Sequence, residues 1–158
     1  TGIQANDLIF RKLLRDQGAT ARVVFAEVAA TARALNESSR PELQAIGRRL
    51  ASGLTAWEEA TDWVLANAKT GVAGVLTAAV PYLDLAVAVT GGWLMGKAAL
   101  AAAGYLERGE GDLPFSTAKL ASAGFYAEQV LPLAQARALT VLAGDVAIAG
   151  LGGEVLFR

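Results

Sequence analysis

About a fifth of this chain is alanine, 34 residues of 158. Alanine is the best helix former because it loses no side-chain entropy in a helix and buries no polar group. It is depleted in strands, where larger branched and aromatic side chains pack better. Apolar residues make up 54% of the sequence and charged residues only 18%. Much of that apolar content is small, so helices of this composition can pack closely. The expected fold is all-α, an antiparallel helical bundle of about four to six helices.

The same sequence excludes several chemistries. It has no cysteine and no histidine. Disulfides, thiolate metal sites, cysteine nucleophiles and the Ser-His-Asp triad are therefore ruled out. Fourteen Lys and Arg against fifteen Asp and Glu give a net charge of -1. No basic excess exists to hold a phosphate backbone, so no nucleic-acid partner is expected. The most apolar stretch, Thr70–Leu106, is broken by Asp84 and Lys97. A spanning helix needs about 20 apolar residues, and a charge at its centre costs about 2.5–3.5 kcal/mol. A buried bundle helix is the better reading, with no membrane partner. Asn6, Asp7 and Arg11 punctuate the start, which lacks a secretory layout.

Apolar spacing places the elements. Ile3, Leu8, Ile9, Leu13 and Leu14 predict a first helix, stopped by Gly18. Val23, Val24, Phe25, Val28 and Ala32 are the apolar set of a second, over about Thr20 to Leu35. Ser39 with Glu42 fits a capping box, with Pro41 in the first turn of a third helix running to about Asn67. Leu43, Ile46, Leu50, Leu54, Trp57, Thr61 and Val64 step along one face of it. A fourth helix, or a kinked pair interrupted at Pro81, covers about Val72 to Glu107. The turn Gly109–Asp112 is the clearest break, and Asp112 can cap the next helix. That helix runs from about Leu113 to Leu142 and bends at Pro132, with a last turn expected over Asp145 to Leu151.

Each candidate site has a plainer reading beside it. Gly92 and Gly96, extended backward by Ala88, form a small-residue seam that suits packing inside the bundle or a subunit contact. Trp57, Trp63, Trp93, Tyr82, Tyr105, Phe125 and Tyr126 could line a pocket, although aromatics at helical spacing are more often core. Asp84 must pair with an arginine from another helix, face solvent, or stay protonated as a catalytic acid. Glu58, Glu59 and Asp62 read as a solvated face. No glycine-rich phosphate loop sits between a strand and a helix, and no metal-ligand spacing is present.

The opening Thr1-Gly2-Ile3-Gln4-Ala5-Asn6-Asp7-Leu8, followed by Arg11-Lys12-Leu13-Leu14-Arg15-Asp16, resembles a specific place in acyl-CoA dehydrogenases. It is similar to the start of the helix that follows their Tyr-Glu-Gly-Thr loop. The resemblance is to the long bacterial subfamily that includes the 3-methylmercaptopropionyl-CoA dehydrogenases, in which an extra helical region follows the dehydrogenase core. Pro81-Tyr82-Leu83, Gly91 through Leu100, Ala118 through Ala121 and Phe125 through Pro132 carry it further. Phe10 departs from the family, whose helix usually has a small residue there.

The resemblance implies that residues 1–35 end the dehydrogenase helical domain and that 36–158 are the added region, packed with it as one unit. In the family a glutamate of the Glu-Gly-Thr loop removes the α-proton of an acyl-CoA, and hydride passes to FAD. That glutamate would lie ahead of Thr1, so no catalytic residue is expected in this chain. The chain is expected to be a cytoplasmic C-terminal portion with no FAD bound on its own, its partners the rest of the dehydrogenase or a second copy of itself. By the same analogy Thr1, Gly2 and Gln4 lie near the flavin; simple N-capping by Thr1 is the plainer reading. The competing class is a free-standing helical interaction module without catalysis.

Overall fold

The computed structural model describes residues 2–144 and residue 146. The chain runs through α1 (Gly2–Asn6), a π-helical segment (Asp7–Leu13), α2 (Ala19–Asn36), α3 (Pro41–Asn67), α4 (Val72–Arg108), α5 (Leu113–Gln129) and α6 (Leu133–Leu142). No strand occurs among the described residues. The expected all-α bundle is what forms. Its long axis is α4, which packs against α1, α2, α3, α5 and α6.

The predicted face of α3 is the buried face. Leu43, Ile46, Leu50, Leu54, Trp57, Thr61 and Val64 are all buried there. The α2 face is shifted: Phe25, Val28, Ala32 and Leu35 are buried, while Val23, expected inside, is 66% exposed. Three consecutive valine and phenylalanine positions cannot all point inward on a helix, and Val23 is the one left outside.

The first helix is not regular. The amide of Leu14 donates to the Ile9 carbonyl (2.9 Å), and that of Gly18 to the Leu13 carbonyl (2.9 Å). Both bonds reach five residues back, which is the π pattern. A wider turn rotates less per residue, so side chains four apart stay close to one line. Ala5, Ile9 and Leu13 have that spacing and are all buried.

Helix ends differ from expectation by small, explicable amounts. The N-cap of α3 is Arg40, extended at φ -89° and ψ 116°, and not Ser39. Proline at 41 drives the residue before it out of the helical region, and an extended residue is what an N-cap requires. Glu42 therefore sits one place nearer the cap than a capping box needs, and it accepts from Arg40 Nε (2.8 Å). Asp112 caps α5 as expected, accepting from the Phe115 amide (2.9 Å). Gly109 and Gly111, at φ 65° and 69°, make the preceding turn in a region that side chains disfavour.

The prolines behave in opposite ways. Pro81 lies inside α4, which continues through it as one helix. Ala78, Ala79, Tyr82 and Leu85 on either side are buried, so packing holds the segment helical despite the lost amide. Pro132 does more than bend its helix. Residues 130–132 form a turn that separates α5 from α6, with the amides of Val130 and Leu131 both donating to the Tyr126 carbonyl. The last turn expected over 145–151 lies outside the described residues.

Glycines in the core are notches for leucines. A methyl group added at Gly92 would lie 2.6 Å from Leu131 Cδ2, and one at Gly96 would lie 2.9 Å from Leu35 Cδ1. The Gly92–Gly96 seam is thus filled inside the bundle. What fills it is a pair of leucine side chains from α2 and the α5–α6 turn.

Candidate functional site

A groove of about 880 Å³ lies between the π segment, α2, α3 and α4. Its volume falls in the range of about 300–1,000 Å³ that ligand and partner clefts occupy. Trp57 of α3 and Tyr82 of α4 lie along it and are almost fully buried. Phe25 meets Trp57 edge to face at 4.9 Å. Of the seven aromatics named from sequence, only Trp57, Tyr82 and Trp93 line this groove. Trp93 is half-buried at its edge, donating from Nε1 to Thr31 Oγ1 (2.9 Å), with Lys97 Nζ 5.0 Å from its ring. Tyr126 instead donates to the Ala88 carbonyl (3.1 Å), and Tyr105 and Phe125 are exposed.

A short polar chain runs beside the groove. Thr61, fully buried, donates its one hydroxyl proton to the Trp57 carbonyl (2.7 Å). Its 2.8 Å contact with the Tyr82 hydroxyl must then be a bond that Tyr82 donates. Burial pushes the Tyr82 hydroxyl above the ordinary tyrosine range; the Trp57 indole and the Arg22 charge pull it partly back. The Trp57 indole Nε1 is buried without a well-aligned hydrogen-bond acceptor. This group is phenol, hydroxyl and indole only. It holds no base with an ordinary affinity for protons near neutrality.

The rim is basic. Arg11, Lys12 and Arg15 border the groove. Arg11 Nη1 is 3.0 Å from Asp7 Oδ1. The other nearby carboxylate, Asp16, accepts from the Gly18 amide (3.1 Å) and the Thr20 amide (3.0 Å), and also from the Thr20 hydroxyl. These bonds to Thr20 hold its carboxyl below the usual range and fix the start of α2. Lys12 and Arg15 form no ion pair among the described residues.

The remaining sequence candidates do not converge on chemistry. Asp84 both faces solvent and pairs with Arg137 of α6 (3.5 Å), so it is neither buried nor isolated. Asp62 pairs with Arg22 of α2. Among the described residues no three acidic side chains gather as a metal site would require. Gly2 and Gln4 are exposed on α1 and do not line the groove; Thr1 lies outside the described residues. A methyl group added at Gly2 would meet nothing within 4 Å. These positions form no cradle for a flavin by themselves, and no step through a flavin follows from them.

The sequence reasoning missed the groove. Leu8, Val24, Leu83 and Val87 come from three segments, and only their meeting makes it. The signal available was the 5, 9, 13 spacing of the first helix, which departs from the usual mix of three and four.

One helix, Val72–Arg108, is long and apolar enough to cross a membrane, judged by length and composition. Half of its most apolar window is buried inside the bundle, as a core helix would be.

Comparison with known proteins fits this architecture. The family described as acetyl-CoA dehydrogenase C-terminal like matches residues 24–151. A 3-methylmercaptopropionyl-CoA dehydrogenase of Ruegeria pomeroyi is 41% identical over 131 residues, which is 83% of this chain and 22% of that protein. The chain therefore spans about a fifth of the length of the curated relative it matches. With most of its length matched, from the middle of α2 onward, the chain belongs to the acetyl-CoA dehydrogenase C-terminal-like family.

Proposed function

We propose that this chain is the C-terminal helical portion of a flavin-dependent acyl-CoA dehydrogenase, acting as scaffold for a reaction centred elsewhere. The carrying observations are the match of residues 24–151 to the acetyl-CoA dehydrogenase C-terminal-like family and the match of 131 residues to 22% of a dehydrogenase's length. The whole enzyme would oxidise an acyl-CoA thioester at the α,β bond to the 2-enoyl-CoA, with FAD as hydride acceptor. In this reading residues 1–35 end the dehydrogenase helical domain and residues 36–158 are the added region. The direct contact of α2 with α3 and α4 supports their packing as one unit.

The groove supports the scaffold role. It is apolar and basic-rimmed, and it contains no carboxylate free to act as a base. Proton abstraction needs a base within about 2.6–3.2 Å of the transferred proton, or one water away. Asp16 is engaged in capping α2, and Asp7 lies against Arg11. The chain would contribute packing, subunit contacts and a wall near the active-site entrance. Thr1, Gly2 and Gln4 would stand at the edge facing the flavin. We place the enzyme in the cytoplasm as an oligomer of fatty-acyl metabolism, without nucleic-acid or membrane partners.

A free-standing interaction module is the second reading, favoured by the exposed apolar residues on the outer face of α4. Titrating the purified chain with FAD separates part of this. The scaffold reading expects a colourless protein with no saturable quenching of flavin fluorescence; micromolar binding would overturn it. The reading frame upstream of residue 1 tests the rest: it should continue back through a Tyr-Glu-Gly-Thr loop, and an unrelated domain there would favour the module.

A further inference from the structure

The groove between the π segment, α2, α3 and α4 has two chemically distinct parts. Leu8, Val24, Leu83 and Val87 give it apolar walls, and the almost fully buried Trp57 and Tyr82 line it as well. None of the α4 residues that line it is charged. Its cations come from one short stretch of chain instead. Arg11, Lys12 and Arg15 belong to the π segment and the turn after it, and all three are exposed. The bundle leaves most of that charge uncompensated. Arg11 is offset by Asp7 at 3.0 Å, but Lys12 and Arg15 form no ion pair among the described residues. The one carboxylate among the lining residues, Asp16, already accepts from the Gly18 amide and from the amide and hydroxyl of Thr20.

These two parts select an occupant. A small polar anion would leave the apolar walls wet, and a neutral hydrocarbon would make no use of the rim. A cationic amphiphile would set like charges together. A second copy related by a two-fold axis would bring the basic rim against itself. An alkyl chain with an anionic head satisfies both parts, burying the chain against the walls and setting the head beside Lys12 and Arg15. The volume, about 880 Å³, is that of a small-molecule site.

We propose that the groove is a binding site for a single-chain amphiphile with an anionic head. Its alkyl chain lies against Leu8, Val24, Leu83 and Val87, and its head is held by Lys12 and Arg15. The site is built from residues of this chain alone and does not rest on the dehydrogenase reading. The ligand is bound and not transformed, so no bond forms or breaks in the groove.

The test combines titration calorimetry with photolabelling, on the polypeptide encoded by the uninterrupted reading frame that contains this chain. The probes are octanoate, decanoate and dodecanoate below their micellar concentrations, and a dodecanoate carrying a terminal diazirine. Binding should be saturable, and Kd should fall by about two- to fourfold for each added methylene. Dodecyltrimethylammonium, with the same chain and the opposite charge, should bind at least about fivefold more weakly than dodecanoate. The diazirine should label peptides that carry Val24, Leu83 or Val87, and excess dodecanoate should suppress the label. Lys12→Glu with Arg15→Glu should weaken dodecanoate binding by about fivefold or more, whereas Lys12→Arg with Arg15→Lys should retain it. Both side chains are exposed, so the helical circular dichroism should not change. Label confined to residues outside the groove overturns the proposal, and the unsubstituted protein suffices for that result. Equal affinity for the two heads, affinity independent of chain length, or no saturable binding overturns it as well.

Discussion

At Gly92 the bundle leaves no room for a single methyl group. Leu131, itself 1% exposed, would meet it at 2.6 Å and has nowhere to retreat. Gly92→Ala should therefore destabilise by about 1–3 kcal/mol, even though alanine is the better helix former. Gly124, inside α5, has nothing within 4 Å of an added methyl. Gly124→Ala should stabilise by about 0.5–1 kcal/mol. Urea titration of both variants checks the sign in each case. Tyr82→Phe is a second test at this scale. It removes the proton that Thr61 accepts and leaves a buried oxygen partly unpaired, so a loss of about 1–2 kcal/mol is expected by the same measurement. Both results depend on neighbours the sequence could not name. The glycine seam was legible as close packing, but the identity of its occupants, Leu131 and Leu35, required the fold.

Among the elements, α3 was the most legible and the first helix the least. Seven apolar positions at threes and fours define the α3 face without ambiguity, and every one is buried. The first helix has an equally apolar composition, but its five-residue hydrogen bonds leave only the 5, 9, 13 spacing as a mark in the sequence. The α5–α6 break was half legible. Pro132 signalled an irregularity, and whether a proline bends or ends a helix depends on what packs around it, as Pro81 shows. Pro81→Ala should restore an amide donor to a segment that is already helical. We expect stabilisation by up to about 3 kcal/mol in thermal or urea unfolding, and destabilisation would mean that α4 requires the irregularity at Pro81.

Helix starts also set the acid response. The carboxyls of Asp16 and Glu42 are held below their usual range, Asp16 by its bonds to Thr20 and Glu42 by its own backbone amide and then by Arg40. Glu128 is held down by its bond to Arg49 (2.8 Å). Each folded carboxyl binds a proton less readily than its unfolded counterpart. Their contribution is therefore complete above the ordinary carboxylate range and is lost as pH falls through the lower folded values. Stability measured by circular dichroism at constant ionic strength should be level toward neutrality and decline in that acid window. Asp16→Asn, which keeps a cap but cannot ionise, should make the decline shallower; an unchanged slope would remove Asp16 from the account.

For the whole molecule, the all-α class followed from alanine content alone, and the scaffold role is a proposal that rests on the family match. The groove joins residues from distant parts of the chain, so periodicity within one segment could not reveal it. The site residues suggested by resemblance, Gly2 and Gln4, lie exposed and apart from the groove. The direct measurement is dye-coupled oxidation of an acyl-CoA thioester in the presence of FAD. The account predicts no dye reduction by the 158-residue chain alone and sustained reduction by the full polypeptide of its reading frame. Turnover by the chain alone, or an inert full polypeptide, would contradict it.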